Sequence, residues 1–225
     1  SVRAGIVPEV LSTGSIHFHD VTTDLIAETC AKLYAASPAT SMVVASTNAL
    51  VGKVNELCQQ SVNPNGEAFL IKETDFFLDF VKHPLSTLRK GDPILFTANI
   101  SQDIQNGSLG KLTSVARDND SFGLVKMDDD DVEISPTEDM LPTLNLGYGL
   151  TVHKAQGSQF PRVIVALHGG HVDRAWLYTA ITRAEFELHI VSTKEKLISA
   201  IKKPSHASKR QTMLRTLLQE GADQT

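Results

Sequence analysis

Polar side chains gather around Gly157 in a short segment of this 225-residue sequence. The segment, residues 148–160, offers hydroxyl, imidazole, ammonium and amide groups directly after an apolar run: Thr151, His153, Lys154, Gln156, Ser158 and Gln159. Parallel α/β sheets bind anions and other ligands where a strand ends and the next helix begins. These donors suit phosphate oxygens, and Gly157 would let a ligand approach the backbone closely. The same residue types favour helix caps and loops, so composition alone leaves that second interpretation open.

A second polar group lies in residues 176–185, where Thr179, Thr182 and Arg183 share a predicted helix. The apolar side of that helix is formed by Leu177, Ala180 and Ile181. An arginine near a helix end usually complements the helix dipole or forms a surface ion pair. Taken alone, the position of Arg183 therefore does not assign it a chemical role.

The sequence predicts no metal site. His17 and His19 lie on one face of a predicted strand, but no third ligand is evident near them in the sequence. The acidic run 128–131 lacks the spacing and the closing glutamate of a calcium-binding EF-hand. Cys30 and Cys58 form neither a CxxC nor a zinc-type pattern, and two cysteines cannot build a disulfide framework.

The elements around the two polar segments alternate between strands and helices, as in an α/β domain. Predicted strands cover residues 16–21, 42–45, 149–152, 163–167 and 188–192. Predicted helices cover about 25–36, 50–60, 176–184, 194–201 and 209–219, and another helix is predicted to start at 153–154. Between the two halves lie short β-type runs separated by polar turns: 93–97, 111–116, 122–127 and 132–134. We therefore predict one α/β domain interrupted by a small SH3-like β-barrel.

The net charge of −5 argues, at face value, against a nucleic-acid-binding protein. The charge is unevenly distributed, because residues 1–149 carry 10 basic and 20 acidic side chains whereas residues 150–225 carry 11 and 6. The stretch 118–139 alone holds nine acids and one lysine. An acidic insert therefore masks a mildly basic remainder, and nucleic acid stays a candidate partner.

The sequence also predicts a cytoplasmic protein with no membrane partner. Its purest apolar runs are about five residues long, far too short for a membrane span. The first residues, Ser-Val-Arg-Ala-Gly, do not resemble a secretory leader.

The order and spacing of the two polar segments resemble a known family. TVHKAQGSQF at 151–160, a strand-like RVIVAL, and LYTAITRA at 177–184 are similar to motifs V and VI of superfamily 1 helicases. The Gln-Gly-Ser variant resembles the RecD-like, superfamily 1B branch. VASTNAL at 44–50 and LRKGDPILF at 88–96 resemble two further parts of the second motor domain, the second being the start of its SH3-like insert.

The resemblance implies two sets of site residues. Thr151 and His153 match positions that contact single-stranded DNA, with Lys154 in support, and Thr47 and Asn48 match a loop near the DNA strand. Gly157 and Gln159 match positions that face the nucleotide, and Arg183 matches the arginine finger, which reaches the γ-phosphate. Tyr178 matches a position that could orient the arginine, with simple packing equally open. The family usually has glutamate where Gln159 stands, a position associated with the ribose. The neutral amide of Gln159 can still bond a hydroxyl, but it lacks the charge-assisted strength of a carboxylate.

The phosphate-cradling loop of a helicase motor is absent from the sequence. Only two Gly-Lys dipeptides occur, at 52–53 and 110–111, neither of them within GxxxxGK[ST], and no Asp-Glu dipeptide occurs. We therefore expect the C-terminal half of a longer motor, with ATP and Mg²⁺ bound mainly by the N-terminal RecA-like domain. The expected division is a RecA-like first part (1–85), the SH3-like insert (86–147) and a RecA-like second part with motifs V and VI (148–225).

The resemblance implies an ATP-dependent 5′→3′ DNA helicase of repair or recombination, similar to the α chain of exodeoxyribonuclease V. Expected partners are single-stranded DNA, the N-terminal motor domain, and nuclease or recombination subunits. The isolated chain is expected to lack ATPase activity. Two alternatives stay open: a degenerate helicase-like module that only binds single strands, as in conjugative relaxases, and a protein-interaction module centred on the barrel.

Overall fold

A computed structural model of the chain describes residues 2–7, 12–68, 88–101, 104–118, 121–128, 132–137, 139–170 and 172–204. Its strands are β1 (Ile16–Asp20), β2 (Ser41–Ala45), β3 (Pro93–Phe96), β4 (Leu109–Asp118), β5 (Ser121–Met127), β6 (Glu133–Ile134), β7 (Leu144–Leu146), β8 (Gly149–Thr151), β9 (Phe160–Ala166) and β10 (Ala184–Ser192). Its α-helices are α1 (Ile26–Ala36), α2 (Asn48–Val62), α3 (Arg174–Ile181) and α4 (Lys194–Lys202). The mixed α/β fold predicted from the sequence is thus confirmed.

Five strands form a parallel sheet in the order β1-β10-β9-β2-β8. The central strands β2 and β9 contain the apolar stretches 42–45 and 163–166, as expected for strands covered on both faces. Alternate residues of these strands enter two separate cores. One core contains Val43 and Ile164 together with α1 and α2, and the other contains Val44 and Val163 together with α3 and α4.

The middle of the chain forms a five-stranded antiparallel sheet in the order β6-β5-β4-β3-β7. All four predicted strands of this region are present, and β7 was not predicted. Antiparallel pairing throughout agrees with the predicted insert, whereas its closure into an SH3-like barrel stays a prediction.

The two sheets are joined by a buried carboxylate at the start of the insert. Asp92 is fully buried and accepts hydrogen bonds from Gln59 and Asn63 of the α2 region, each at 2.6 Å. The hydroxyl of Tyr148, beyond β7, donates to the same carboxylate at 2.7 Å, and the backbone N–H of Arg89 donates at 2.7 Å. Four hydrogen bonds satisfy an acid that would be costly to bury unpaired, so this cluster fixes where the chain leaves and re-enters the parallel sheet.

Two local predictions are wrong. No helix starts at residues 153–154, because residues 152–157 form successive turns. Helix α3 ends at Ile181 rather than at 184, so Thr182 and Arg183 lie in the turn that precedes β10. The predicted helix at 209–219 and the expected boundary at residue 85 fall outside the described residues. No helix within the described ranges is long and apolar enough to cross a lipid bilayer.

Candidate functional site

The segment 152–159 crosses the parallel sheet along the strand direction. It runs from the carboxyl edge, where the strands end, to the amino edge, where they begin. It leaves the carboxyl end of β8 and returns to the amino end of β9, two strands that run in the same direction on either side of β2. Strand β9 has seven residues, so the two edges are roughly 20 Å apart. The two predicted sets of site residues therefore lie at opposite edges of one sheet, linked by this crossover.

The carboxyl edge brings together the residues predicted to contact DNA. Thr151 is paired with Ala45, and the β2 strand continues from there into Thr47 and Asn48. The Thr47 hydroxyl accepts from the backbone N–H of Leu50 at 3.2 Å and caps α2. This cap fixes the loop that follows β2.

The crossover begins with a single tight turn that presents His153 to solvent. The backbone N–H groups of Lys154 and Ala155 both donate to Thr151 O, at 3.0 and 3.1 Å. His153 is exposed, and Lys154 is half-buried. Partial burial lowers the pKa of the Lys154 ammonium, since loss of hydration disfavours its charged form. A Cβ atom on Gly107 would lie 3.1 Å from Lys154 O, so the antiparallel sheet closely approaches this turn.

The amino edge carries the residues predicted to face the nucleotide. Gly157 has a φ of +95°, a conformation that favours glycine, and the space beside its Cα is open. Gln159 is exposed. The Arg183 guanidinium donates to Ser158 O at 3.0 Å and to Thr179 O at 3.1 Å. Arg183 O in turn accepts from the Phe160 N–H at 2.8 Å, so the arginine is anchored to the end of the crossover.

Tyr178 is 40% exposed on α3, one turn before the arginine. Its backbone O accepts from the N–H of Thr182 at 3.1 Å and thereby helps to end the helix. The orienting role predicted for its side chain stays a prediction.

Sequence reasoning missed a groove of about 330 Å³ between the crossover and α3. Its lining includes His153, Gln156, Asp173, Trp176 and Thr179. Asp173 is buried, and its Oδ1 accepts from the backbone N–H of Trp176 at 2.9 Å, which caps α3. The groove could not be read from the sequence, because its two walls are about 20 residues apart and meet only in the fold.

A histidine cluster lies on strands β1 and β10 of the parallel sheet. None of its residues was predicted to contact DNA or the nucleotide. His17 and His19 of β1 stack on His189 of β10, with ring centroids 4.8 and 5.2 Å apart. Glu187 approaches the Nε2 atoms of His189 and His17, at 2.9 and 3.6 Å. The structure thus places Glu187 and His189 beside His17, and the sequence did not reveal this. These three side chains form a group of the kind that could hold a metal ion.

Arg162 occupies the position that a cation would need at this cluster. Its guanidinium donates to Glu187 Oε2 at 2.9 Å and lies 2.9 Å from His189 Nε2. Burial lowers the pKa of His189, and the charge of Arg162 lowers it further. Burial also lowers the pKa of His19, with smaller effects from His17 and Arg162. The cluster is therefore best described as a partly buried hydrogen-bonded network around Arg162.

Part of this chain matches the sequences of known helicases. Residues 146–191, which contain the crossover and Arg183, match the family described as UvrD-like helicase C-terminal domain. The chain is 40% identical over 100 residues to the ATP-dependent RecD2 DNA helicase of Deinococcus radiodurans, and 34% identical over 117 residues to the RecBCD enzyme subunit RecD of Buchnera aphidicola. Parts of this chain are thus similar in sequence to RecD-like helicases.

The RecD-like relatives are much longer than the matched regions. The matches cover 43% and 50% of this chain but only 13% and 19% of the two relatives. Among solved structures, a Bacteroides Pif1 helicase in complex with ADP-AlF3 and ssDNA matches 89% of this chain and 51% of its own, with 22% identity and a TM-score of 0.49.

Proposed function

We propose that the protein is an ATP-dependent DNA helicase of the RecD-like type, to which this chain contributes one side of the ATP site and part of the single-stranded DNA surface. The observation that carries the proposal is the crossover at 152–159. It lies within the matched segment 146–191 and joins an edge with predicted DNA contacts to an edge with predicted nucleotide contacts. In this proposal one short segment connects the two sites that a motor must couple.

Arg183 supports the nucleotide part of the proposal. Within the described residues its guanidinium has only backbone carbonyl and hydroxyl partners, and it forms no salt bridge with a carboxylate. A half-buried guanidinium without a carboxylate partner suits a phosphate, and its planar fork can contact two oxygens. Together with the open backbone at Gly157 and the exposed amide of Gln159, this donor set fits the phosphate and ribose side of ATP.

In this proposal Arg183 stabilises negative charge on the transferred phosphoryl group, as an arginine finger. Bound ATP with Mg²⁺ supplies the phosphoryl group whose hydrolysis drives the motor. Gln159 would donate to or accept from a ribose hydroxyl without charge assistance. The N-terminal RecA-like domain would hold most of the nucleotide, with the division at residues 1–85, 86–147 and 148–225 and the 5′→3′ polarity as further parts of the proposal.

The carboxyl edge supports the DNA part of the proposal. The Thr151 hydroxyl, the exposed imidazole of His153 and the loop at Thr47 and Asn48 offer donors of the kind that position phosphates and bases. Lys154 adds a cation next to them, although its partial burial already weakens its preference for the charged form. Single-stranded DNA is therefore the proposed partner at this edge.

Binding of a labelled oligothymidylate by this 225-residue chain tests the proposal. Fluorescence anisotropy at low salt should detect binding, which should weaken as salt rises because phosphates release counterions. His153→Ala should weaken it roughly fivefold or more through loss of a base contact. Lys32→Ala, which removes an exposed cation on α1, is the control and should leave the affinity unchanged. Absence of binding, or equal loss in both variants, would contradict the DNA site.

A further inference from the structure

The groove between the crossover and α3 lies at the carboxyl edge of the parallel sheet. One wall follows β8 and includes His153, and the other follows β9 and begins at Asp173, the cap of α3. The carboxyl edge is where parallel sheets bind ligands. Thr151 and Thr47 lie at this same edge, whereas Arg183 lies at the amino edge. The position of the groove therefore favours the DNA side over the nucleotide side.

The chemistry of the lining fits a flat, uncharged and polar-edged ligand. Trp176 is partly exposed and offers an indole ring, and His153 offers an exposed imidazole on the opposite wall. Gln156 and Thr179 add an amide and a hydroxyl that can bond the edge of a base. The buried carboxylate of Asp173 disfavours a phosphate in the same place. A volume of about 330 Å³ lies at the lower end of small-ligand sites, roughly 300–1,000 Å³.

We propose that this groove takes one base of the single-stranded DNA, stacked on Trp176. The inference rests on the proposed DNA-binding function and adds a base site to it. Aromatic rings stack on any base, so the site gives affinity without sequence preference. In this arrangement the sugar-phosphate backbone passes along Thr151 and Thr47, and the base turns inward between the crossover and α3.

The tryptophan itself reports on the proposed site, because it is the single tryptophan of the chain. Oligothymidylate added to the 225-residue chain should quench tryptophan emission in step with the rise in anisotropy of a labelled oligonucleotide. An oligonucleotide of abasic sites, with the same number of phosphates, should bind more weakly and leave the emission unchanged. ATP without DNA should also leave the emission unchanged.

Substitutions give a second, independent readout. Trp176→Leu should weaken oligothymidylate binding roughly 5- to 100-fold, the range expected for one stacked base. Trp176→Phe keeps an aromatic ring and should restore most of the affinity. Phe186→Leu is the matched control, because Phe186 is a 73% exposed aromatic residue on β10 outside the groove. The Phe186→Leu variant should bind oligothymidylate as tightly as the unaltered chain.

The outcomes separate this inference from the proposed function. Binding by anisotropy without any change in tryptophan emission would overturn the base site and leave DNA binding intact. Quenching by ATP and not by DNA would overturn DNA as the occupant of the groove. Absence of anisotropy change would contradict DNA binding itself, and the base site with it.

Discussion

Arg162 and Arg183 illustrate how partners decide what a guanidinium can do. Arg162 is buried and donates to the Glu187 carboxylate at 2.9 Å and to the Ser41 hydroxyl at 3.0 Å. Its positive charge is therefore paired within the sheet. Arg183 contacts only neutral oxygens in the described part of the chain. Its charge therefore remains available to an anion that approaches the amino edge, which agrees with its proposed role at a γ-phosphate.

The histidine cluster around Arg162 predicts a pH-dependent stability. His19 and His189 both have pKa values lowered from 6.5, with burial as the main cause. The unfolded chain therefore binds more protons than the folded chain below about pH 6.5, and the free energy of unfolding should fall as the pH drops from about 7 to 5. Glu187 acts at lower pH: burial opposes its charge, but hydrogen bonds from His189 and Arg162 lower its pKa overall.

Urea unfolding measured at several pH values checks this expectation. His19→Gln should reduce the slope of the unfolding free energy between pH 7 and 5. His168→Gln is the matched control, because His168 is exposed in a loop and bonds the Ser46 hydroxyl through its backbone. Equal slopes in the two variants and the unaltered chain would remove the cluster from the pH response.

At the scale of elements, helix α2 connects the loop at Thr47 and Asn48 to the antiparallel sheet. Thr47 caps its first turn, and Asn55 in its middle bridges two backbone groups: its amide donates to Leu146 O at 2.9 Å and accepts from Gly149 N–H at 2.8 Å. The same side chain thus holds the end of β7 and the start of β8. Because β8 leads directly to Thr151, this contact also positions the predicted DNA edge.

Asn55→Ala should lower the free energy of unfolding by about 2–6 kcal/mol. The substitution leaves two buried backbone groups without a partner, and each such group costs about 1–3 kcal/mol. Glu56→Ala, at the adjacent exposed position, should change stability by no more than about 0.5 kcal/mol. Denaturant unfolding of both variants makes the comparison, and similar stabilities would show that the Asn55 bridge contributes little.

The elements also show where sequence patterns suffice and where they fail. The apolar stretches 42–45 and 163–167 are local signals, and strands β2 and β9 are present there. The helix expected at 153–154 is absent because the crossover has few residues and includes Gly157 at positive φ. The histidine cluster and the groove depend on strand order and register, which one-dimensional patterns do not encode.

At the scale of the whole molecule, one of the two hydrophobic cores contains residues of both sheets. Val43 and Ile164 of the parallel sheet belong to the same cluster as Ile94 and Leu112 of the antiparallel sheet. The insert is therefore packed on the α/β layer as well as linked to it through Asp92.

The proposed role of Arg183 is to stabilise negative charge during ATP hydrolysis in a RecD-like motor. DNA-stimulated ATP hydrolysis by the full-length protein tests it most directly. Arg183→Ala should lower turnover by at least about 10³-fold, since arginine fingers contribute on that order, while single-stranded DNA affinity stays within about twofold. Glu185→Ala, an exposed position two residues further on, should keep normal turnover. Near-normal hydrolysis by the Arg183→Ala protein would contradict this role.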